Sequence, residues 1–154
     1  MFGIVTASDF RDKARRDSAA LQADIANPDL AMNAVLSNFH LHEWIWTQVL
    51  KPMAPPTLRG AVFRSKADWL RWLDANCPHF QLIQALANGS KHCFVANDTE
   101  RVGGYGRGPY GVGPFGKPYL LIDLGAELEA RDRWLAGSKM IDEVSAFWAL
   151  RRPV

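Results

Sequence analysis

The sequence predicts a mainly α-helical fold, a bundle of four to five helices with a glycine-rich loop and a small β element before the last helix. Apolar residues recur at helical spacing in most of the chain. Segment 103–116 breaks this pattern with seven glycines in fourteen residues, and 119–124 is an apolar run of strand length. At 154 residues the chain fits one domain, 1–154, in which 103–124 is an insertion of loop and β structure.

The composition is that of a folded, water-exposed protein. Hydrophobic residues make up 48% and charged residues 22% of the chain, which argues against global disorder. The net charge of +2 permits nucleic-acid binding without indicating it. We find no secretory signal and no apolar run of the roughly 20 residues that a membrane-spanning helix needs. We therefore expect a cytoplasmic protein without membrane contact, with Cys77 and Cys93 reduced.

The first helix is predicted from an apolar series that begins at Phe10 and ends at Ile25. Thr6, Ser8 and Asp9 offer side-chain oxygens that could cap its first turn. Its basic residues could contact phosphates or could form a solvated helix face; they are Arg11, Lys13, Arg15 and Arg16.

The second helix is predicted over 28–50, with Asn27 as its N-cap and proline at its first position. Its apolar face carries two polar residues one turn apart, Asn38 and His42. Buried polar groups need hydrogen-bond partners, so we expect each of them to find one in the core or at an interface. The opposite, polar face is predicted to carry Asn33, Ser37, His40 and Thr47.

Prolines divide the middle of the chain. Segment 51–56 contains three prolines and ends the second helix, and a loop is expected from there to Arg64. Ser65 is predicted to cap a short helix, and Pro78 to begin the next one, which runs to Cys93. A final helix is predicted to begin at Ser138. The helix that starts at Pro78 has a polar stripe formed by Gln81, Gln84, Asn88, Lys91 and His92.

The glycine-rich segment contains the spacing G-x-G-x-x-G twice, at 106–111 and at 111–116. In a dinucleotide site this motif follows a strand and opens a helix, whereas here each copy contains a proline and the second precedes a strand-like run. We therefore interpret the segment as a turn-rich loop. Its Arg107 could contact a ligand, together with the aromatic residues Tyr105, Tyr110 and Phe115.

The sequence lacks the spacings of common metal sites and hydrolases. His40 and His42 are two residues apart, so they point to different sides of a helix and cannot chelate one ion together. Cys93 directly follows His92, and adjacent helical residues also point apart, which disfavours a nucleophile–base pair. Zinc-finger, Walker A, HExxH and GxSxG motifs do not occur. We expect no metal and no cofactor.

His92 is the strongest candidate for a functional residue. It ends the polar stripe, directly after Lys91 and one turn beyond Asn88. Imidazole transfers protons near neutral pH, and such a face could hold a phosphate or the 2′-hydroxyl of RNA. The alternative is that His92 is structural or solvated.

The helical pattern and segment 88–92, Asn-Gly-Ser-Lys-His, resemble the HEPN superfamily, small all-α domains found in prokaryotic toxins and defence proteins. The family's signature is an arginine followed a few residues later by a histidine, often with a polar residue directly after the arginine. Here His92 takes the histidine position and Asn88 the polar position, and Ala87 stands at the arginine position. The resemblance covers mainly residues 28–94.

The resemblance implies an RNA- or nucleotide-binding homodimer, and a metal-independent endoribonuclease of a toxin–antitoxin or phage-defence system. His92 would act as general acid or base at a ribose 2′-hydroxyl, Asn88 would position that group, and Lys91 would steady the phosphate. Lysine lacks the planar fork of the missing arginine. An earlier helix would supply a polar residue to the same site. Substrate-binding side chains are expected among Asn38, His42, Gln84 and Arg107.

A non-catalytic protein-interaction module, an accessory or neutralising partner encoded by a mobile element, is the alternative hypothesis. The six tryptophans offer contact surface, and Trp44 falls on the polar side of its helix, so we expect it to be exposed. The two hypotheses differ in the surroundings of His92. A cleft shared with Asn38 or His42 favours nucleic-acid binding, and an open solvated face favours the interaction module.

Overall fold

The computed structural model describes residues 2–92, 99–103 and 107–150, and it describes residues 90–92 by their backbone alone. Within these ranges the chain forms the predicted mainly α-helical fold with a small β element before the last helix. The helices are α1 (Ala7–Ala23), α2 (Pro28–Ile45), α3 (Lys66–Asn76), α4 (Phe80–His92) and α5 (Gly137–Leu150). The strands are β1 (Thr57–Leu58), β2 (Ala61–Val62), β3 (Thr99–Val102), β4 (Tyr119–Asp123) and β5 (Trp134–Ala136).

The predicted N-caps form where the sequence places them. The Thr6 hydroxyl accepts a hydrogen bond from the Asp9 amide, and the Asp9 carboxylate accepts one from the Thr6 amide, which makes a capping box. The Asn27 side chain caps α2, and the Ser65 side chain caps α3. Each cap satisfies amide groups that the first turn of a helix leaves unpaired.

Helix α2 lies at the centre of the bundle and packs against α1, α4 and α5. Its buried residues lie on several sides of the helix, so its solvated face is narrower than the sequence suggests. Ser37, predicted on the polar face, is 1% exposed, and its hydroxyl donates to the Asn33 carbonyl at 2.9 Å. The prediction for Ser37 is therefore wrong. After Ile45 the chain continues as a π-helical turn over Trp46–Leu50.

Two elements also differ from the sequence prediction. A two-stranded hairpin, β1–β2, occupies the region expected to be a loop, and its turn residues Arg59 and Gly60 both have positive φ, 49° and 82°. Two positive φ values are typical of the tight turn that joins antiparallel strands. Helix α4 begins at Phe80 rather than Pro78, because His79 has a φ of 56° and cannot be part of a right-handed helix.

The β element before α5 is an antiparallel sheet of order β3-β4-β5. Val102 pairs with Tyr119, and Leu121 pairs with Ala136, which fixes the register of the three strands. These four residues form a small apolar cluster of their own beside the main helical core. The Leu120 amide donates to the Ile25 carbonyl at 3.2 Å and so connects the sheet to the short segment between α1 and α2.

None of the helices in the described ranges has the length and apolar character that crossing a bilayer requires.

Candidate functional site

A groove of about 510 Å³ lies between α2 and α4. Helix α4 contributes Gln84 and Asn88 to its wall, and α2 contributes His42, so three of the predicted site residues meet there. The complete lining is Leu36, Phe39, His40, His42, Glu43, Leu70, Gln84, Ala87 and Asn88.

Helical periodicity explains most of this lining. On α4, Gln84, Ala87 and Asn88 stand three and four residues apart, which places them on one face. On α2, Leu36, Phe39, His40 and Glu43 follow the same spacing. The groove therefore lies where one face of α2 meets one face of α4, and its polar side chains project from regular helical backbone.

His42 is 2% exposed and is held by the backbone and by aromatic rings. Its Nδ1 lies 2.5 Å from the Phe39 carbonyl oxygen, which can only accept, so Nδ1 carries the proton. The ring also packs against Phe39 and edge-on against Phe80, with centroids 4.7 and 5.5 Å away. Burial lowers the pKa of His42 below its ordinary value near 6.5, which favours a neutral imidazole whose Nε2 accepts hydrogen bonds.

Glu43 lies between His42 and a lysine of α3. Its Oε1 lies 3.4 Å from Nε2 of His42, and Lys66 Nζ donates to Oε1 and Oε2 at 2.5 and 2.7 Å. Partial burial works to raise the pKa of Glu43, but the Lys66 hydrogen bond and the nearby positive charges outweigh it, so the pKa is lowered. The carboxylate is therefore ionised at neutral pH and forms an ion pair with Lys66. Nε2 of neutral His42 and Oε1 of Glu43 are both acceptors, so their 3.4 Å approach is a contact and not a hydrogen bond.

Ala87, at the position of the family's arginine, is 3% exposed and lines the groove. Asn88 is exposed at the rim and Gln84 is half-buried. Lys91 and His92 are in α4, but only their backbone is described. Their side chains lie outside the described part of the structure. His92 follows Asn88 by four residues, one turn of the same helix.

Asn38 is not part of the groove. Its side chain packs against α1: Nδ2 donates to Ser18 Oγ of α1 at 2.8 Å and to the Ala34 carbonyl of its own helix at 2.9 Å. Asn38 and His42 are thus both buried and hydrogen-bonded, as expected. Asn38 bonds to Ser18 and Ala34, whereas His42 bonds to Phe39. His42, and not Asn38, is the α2 residue that accompanies Asn88 and Gln84.

Arg107 also lies away from the groove. It lines a separate concavity with Tyr110, Phe115 and Tyr119, of which Tyr110 and Phe115 are strongly exposed. The Tyr119 ring packs across the glycine-rich segment so closely that a Cβ at Gly113 would come within 2.4 Å of it. Glycine is required there by close approach, which is a structural role and not a phosphate loop.

The sequence did not indicate Glu43 and Lys66 as parts of the site. Glu43 stands beside His42 in the chain, but its partner Lys66 comes from α3, 23 residues away. Helical periodicity cannot reveal such a contact, because it depends on how α3 packs against α2. A charged residue directly next to a buried histidine is the signal that was available.

The polar side chains of the groove offer hydrogen-bond donors and acceptors beside apolar lining residues. The amides of Gln84 and Asn88 can both donate and accept, and Nε2 of His42 accepts. The apolar lining includes Leu36, Phe39 and Leu70. Such a groove suits a ligand with a flat body and polar edges. Within the described ranges, no three His, Cys, Asp or Glu side chains come together as metal ligands would.

Comparison with known proteins adds no relative: no protein-family model, no curated protein and no solved structure matches the chain.

Proposed function

We propose that the chain is a HEPN-like domain that binds RNA in the groove between α2 and α4. The observation that carries this proposal is the meeting of His42, Gln84 and Asn88 on the two walls of one groove. Asn88 is also the residue at the polar position of the motif in the resemblance, one helical turn before His92. The groove thus begins at the turn of α4 on which the family motif falls.

The chemistry of the groove fits an unpaired nucleotide better than a duplex. Single-stranded RNA presents base edges and 2′-hydroxyls, which amide side chains recognise through paired donors and acceptors. Gln84 and Asn88 supply such amides, and neutral His42 supplies an acceptor for a hydroxyl proton. The apolar lining accommodates the face of a base. A duplex would instead need a broad surface of cations.

The lining residues of the groove include one carboxylate, Glu43, and no lysine or arginine, so backbone phosphates contribute less than the base and ribose contacts. Lys66 is paired with Glu43, and their side chains are each 42% exposed. The phosphate contact in our proposal is Lys91, assigned on the sequence motif alone. We therefore expect a shallow dependence of affinity on salt, with a slope near that of one to two phosphate contacts.

Cleavage is the part of the proposal that depends on His92. The imidazole would remove the proton of a 2′-hydroxyl, whose oxygen attacks the adjacent phosphorus and expels the 5′-oxygen, leaving a 2′,3′-cyclic phosphate. The protonated imidazole would then return a proton to the leaving oxygen. The test is incubation of single-stranded RNA with purified protein in chelator, wild type beside His92→Ala. Equal cleavage by both proteins would contradict the role of His92.

The binding proposal is tested by fluorescence anisotropy of a labelled single-stranded RNA. We expect the double variant Gln84→Leu/Asn88→Leu to bind at least about tenfold more weakly than wild type, since each lost amide removes a polar contact. Gln81→Leu is the matched control, because Gln81 is exposed on the same helix and does not line the groove. Equal losses in both variants, or no binding by wild type, would contradict the proposal.

The interaction-module hypothesis loses its main support in the structure. Trp44, expected to be exposed, is half-buried and stacks on Phe10 with centroids 5.0 Å apart. Its indole therefore belongs to the contact between α1 and α2.

A further inference from the structure

We propose a second binding site, for a small hydroxylated phosphate, in a pocket between α1, α2 and α5. The pocket has a volume of about 160 Å³, and it shares no lining residue with the groove between α2 and α4. Helix α1 contributes Arg11 and Arg15, α2 contributes Asn38, and α5 contributes Ser145 and Trp148. The site is therefore separate from the proposed RNA groove, and the two can be tested independently.

Asn38 provides the first evidence for a ligand. It is 1% exposed, and its Nδ2 donates to Ser18 Oγ and to the Ala34 carbonyl. The Ser18 hydroxyl proton is used in a hydrogen bond to the Ala14 carbonyl at 2.8 Å, so the Ser18 oxygen accepts from Asn38. Rotating the amide would bring Oδ1 against the Ala34 carbonyl, and two acceptors repel. The orientation of the Asn38 amide is therefore fixed by its partners.

With Nδ2 held by these two acceptors, Oδ1 of Asn38 has no hydrogen-bond partner among the described residues. A buried polar oxygen without a partner is costly, and a hydrogen-bond donor on a ligand would remove that cost. Oδ1 is covered by its neighbours, so a donor reaches it when the side chains of the pocket move slightly.

The two arginines provide the charge that selects a phosphate. Arg11 and Arg15 stand one turn apart on α1, on the same face. Arg11 Nη2 donates to Ser8 Oγ at 3.1 Å, and Arg15 Nε lies 3.9 Å from the Asp12 carboxylate. Each guanidinium has five N–H donors, so most remain for an anion, and the planar fork matches phosphate oxygens. Asp12 also lines the pocket and repels anions, which makes both arginines necessary.

The ligand therefore carries a phosphate for the arginines and a hydroxyl for Asn38. The test titrates glycerol 1-phosphate into the full chain and follows the indole N–H resonance of Trp148, which lines the pocket and donates to the Asn38 carbonyl at 3.1 Å. We expect a saturable shift below about 10 mM ligand. Arg11→Gln/Arg15→Gln should weaken binding at least about tenfold. Arg16→Gln should leave it unchanged, because Arg16 is exposed and does not line the pocket.

Inorganic phosphate separates the hydroxyl contact from the charge contact. We expect wild type to bind glycerol 1-phosphate about tenfold more tightly than inorganic phosphate, and Asn38→Ala to remove this difference. If Asn38→Ala does not fold, the comparison of the two ligands on wild type remains. Equal affinity for both ligands, equal losses in Arg16→Gln and the double variant, or no saturable shift would overturn the proposal.

Discussion

Nε2 of the buried His42 lies 3.4 Å from Oε1 of Glu43, and the same carboxylate is held at 2.5 Å by Lys66. One residue is neutral because burial lowers its pKa, and its neighbour is ionised because Lys66 and the surrounding charges lower its pKa. The pair therefore presents an acceptor nitrogen and an anion to the groove at neutral pH. Protonation of His42 would change both the charge of the groove and the stability of the fold.

We predict that stability falls as the pH is lowered through about 6.5, the ordinary pKa of histidine, toward the lower pKa that His42 has in the folded chain. The unfolded chain protonates His42 near 6.5, whereas the folded chain resists protonation, so the unfolded state binds more protons in this window. One such group can contribute a slope of at most about 1.4 kcal/mol per pH unit. The measurement is urea denaturation across this range, wild type beside His42→Gln. A slope that the variant retains in full would contradict the assignment to His42.

Removing the His42 side chain should cost far more than removing that of its exposed neighbour. His42→Ala deletes a ring packed against Phe39 and Phe80 and leaves a cavity, so we expect a loss of about 2–4 kcal/mol in the free energy of unfolding. His40→Ala, on the same helix, should change it by no more than about 0.5 kcal/mol. Chemical denaturation gives both values. Similar losses for the two variants would mean that His42 is not buried as described.

The indole N–H groups of two tryptophans donate hydrogen bonds to backbone carbonyls of α2. Trp148 Nε1 donates to the Asn38 carbonyl at 3.1 Å, and Trp69 Nε1 donates to the His42 carbonyl at 3.2 Å. We expect Trp69→Phe and Trp148→Phe each to lower the free energy of unfolding by about 1–3 kcal/mol, from a lost hydrogen bond and a small cavity. Trp44→Phe should cost less than about 1 kcal/mol, because Trp44 is half-buried. Thermal or urea unfolding of the three variants measures these losses. A larger loss for Trp44→Phe than for Trp69→Phe and Trp148→Phe would contradict the two hydrogen bonds.

The sequence predicts helices well where their ends are marked by side chains. Thr6, Asn27 and Ser65 cap α1, α2 and α3 as expected, since a capping oxygen acts on amides two or three residues away. The prediction that α4 begins at Pro78 is wrong, because His79 has a left-handed backbone and the helix begins only at Phe80. The hairpin β1–β2 was missed because its strands have only two residues each, too short to show alternation.

The site was predictable in part. A histidine in an apolar stripe must find partners, and His42 does so through a carbonyl in its own helix. The groove itself could not be predicted, because it depends on which face of α4 meets α2. The predicted polar stripe of α4 contains Gln84 and Asn88, which line the groove, but also Gln81, which does not. The ion pair of Lys66 with Glu43 depends on the packing of α3. The side chains of Lys91 and His92, the centre of the motif, lie outside the described part of the structure.

The central claim is that RNA lies in the groove between α2 and α4, and photo-crosslinking tests its location most directly. Single-stranded RNA that carries 4-thiouridine would be irradiated with the full chain, and the attached peptides would be identified by mass spectrometry. We predict crosslinks to residues 36–43 of α2 and 84–88 of α4, and their loss in Gln84→Leu/Asn88→Leu but not in Gln81→Leu. Crosslinks confined to α1 or to the glycine-rich segment would contradict the claim.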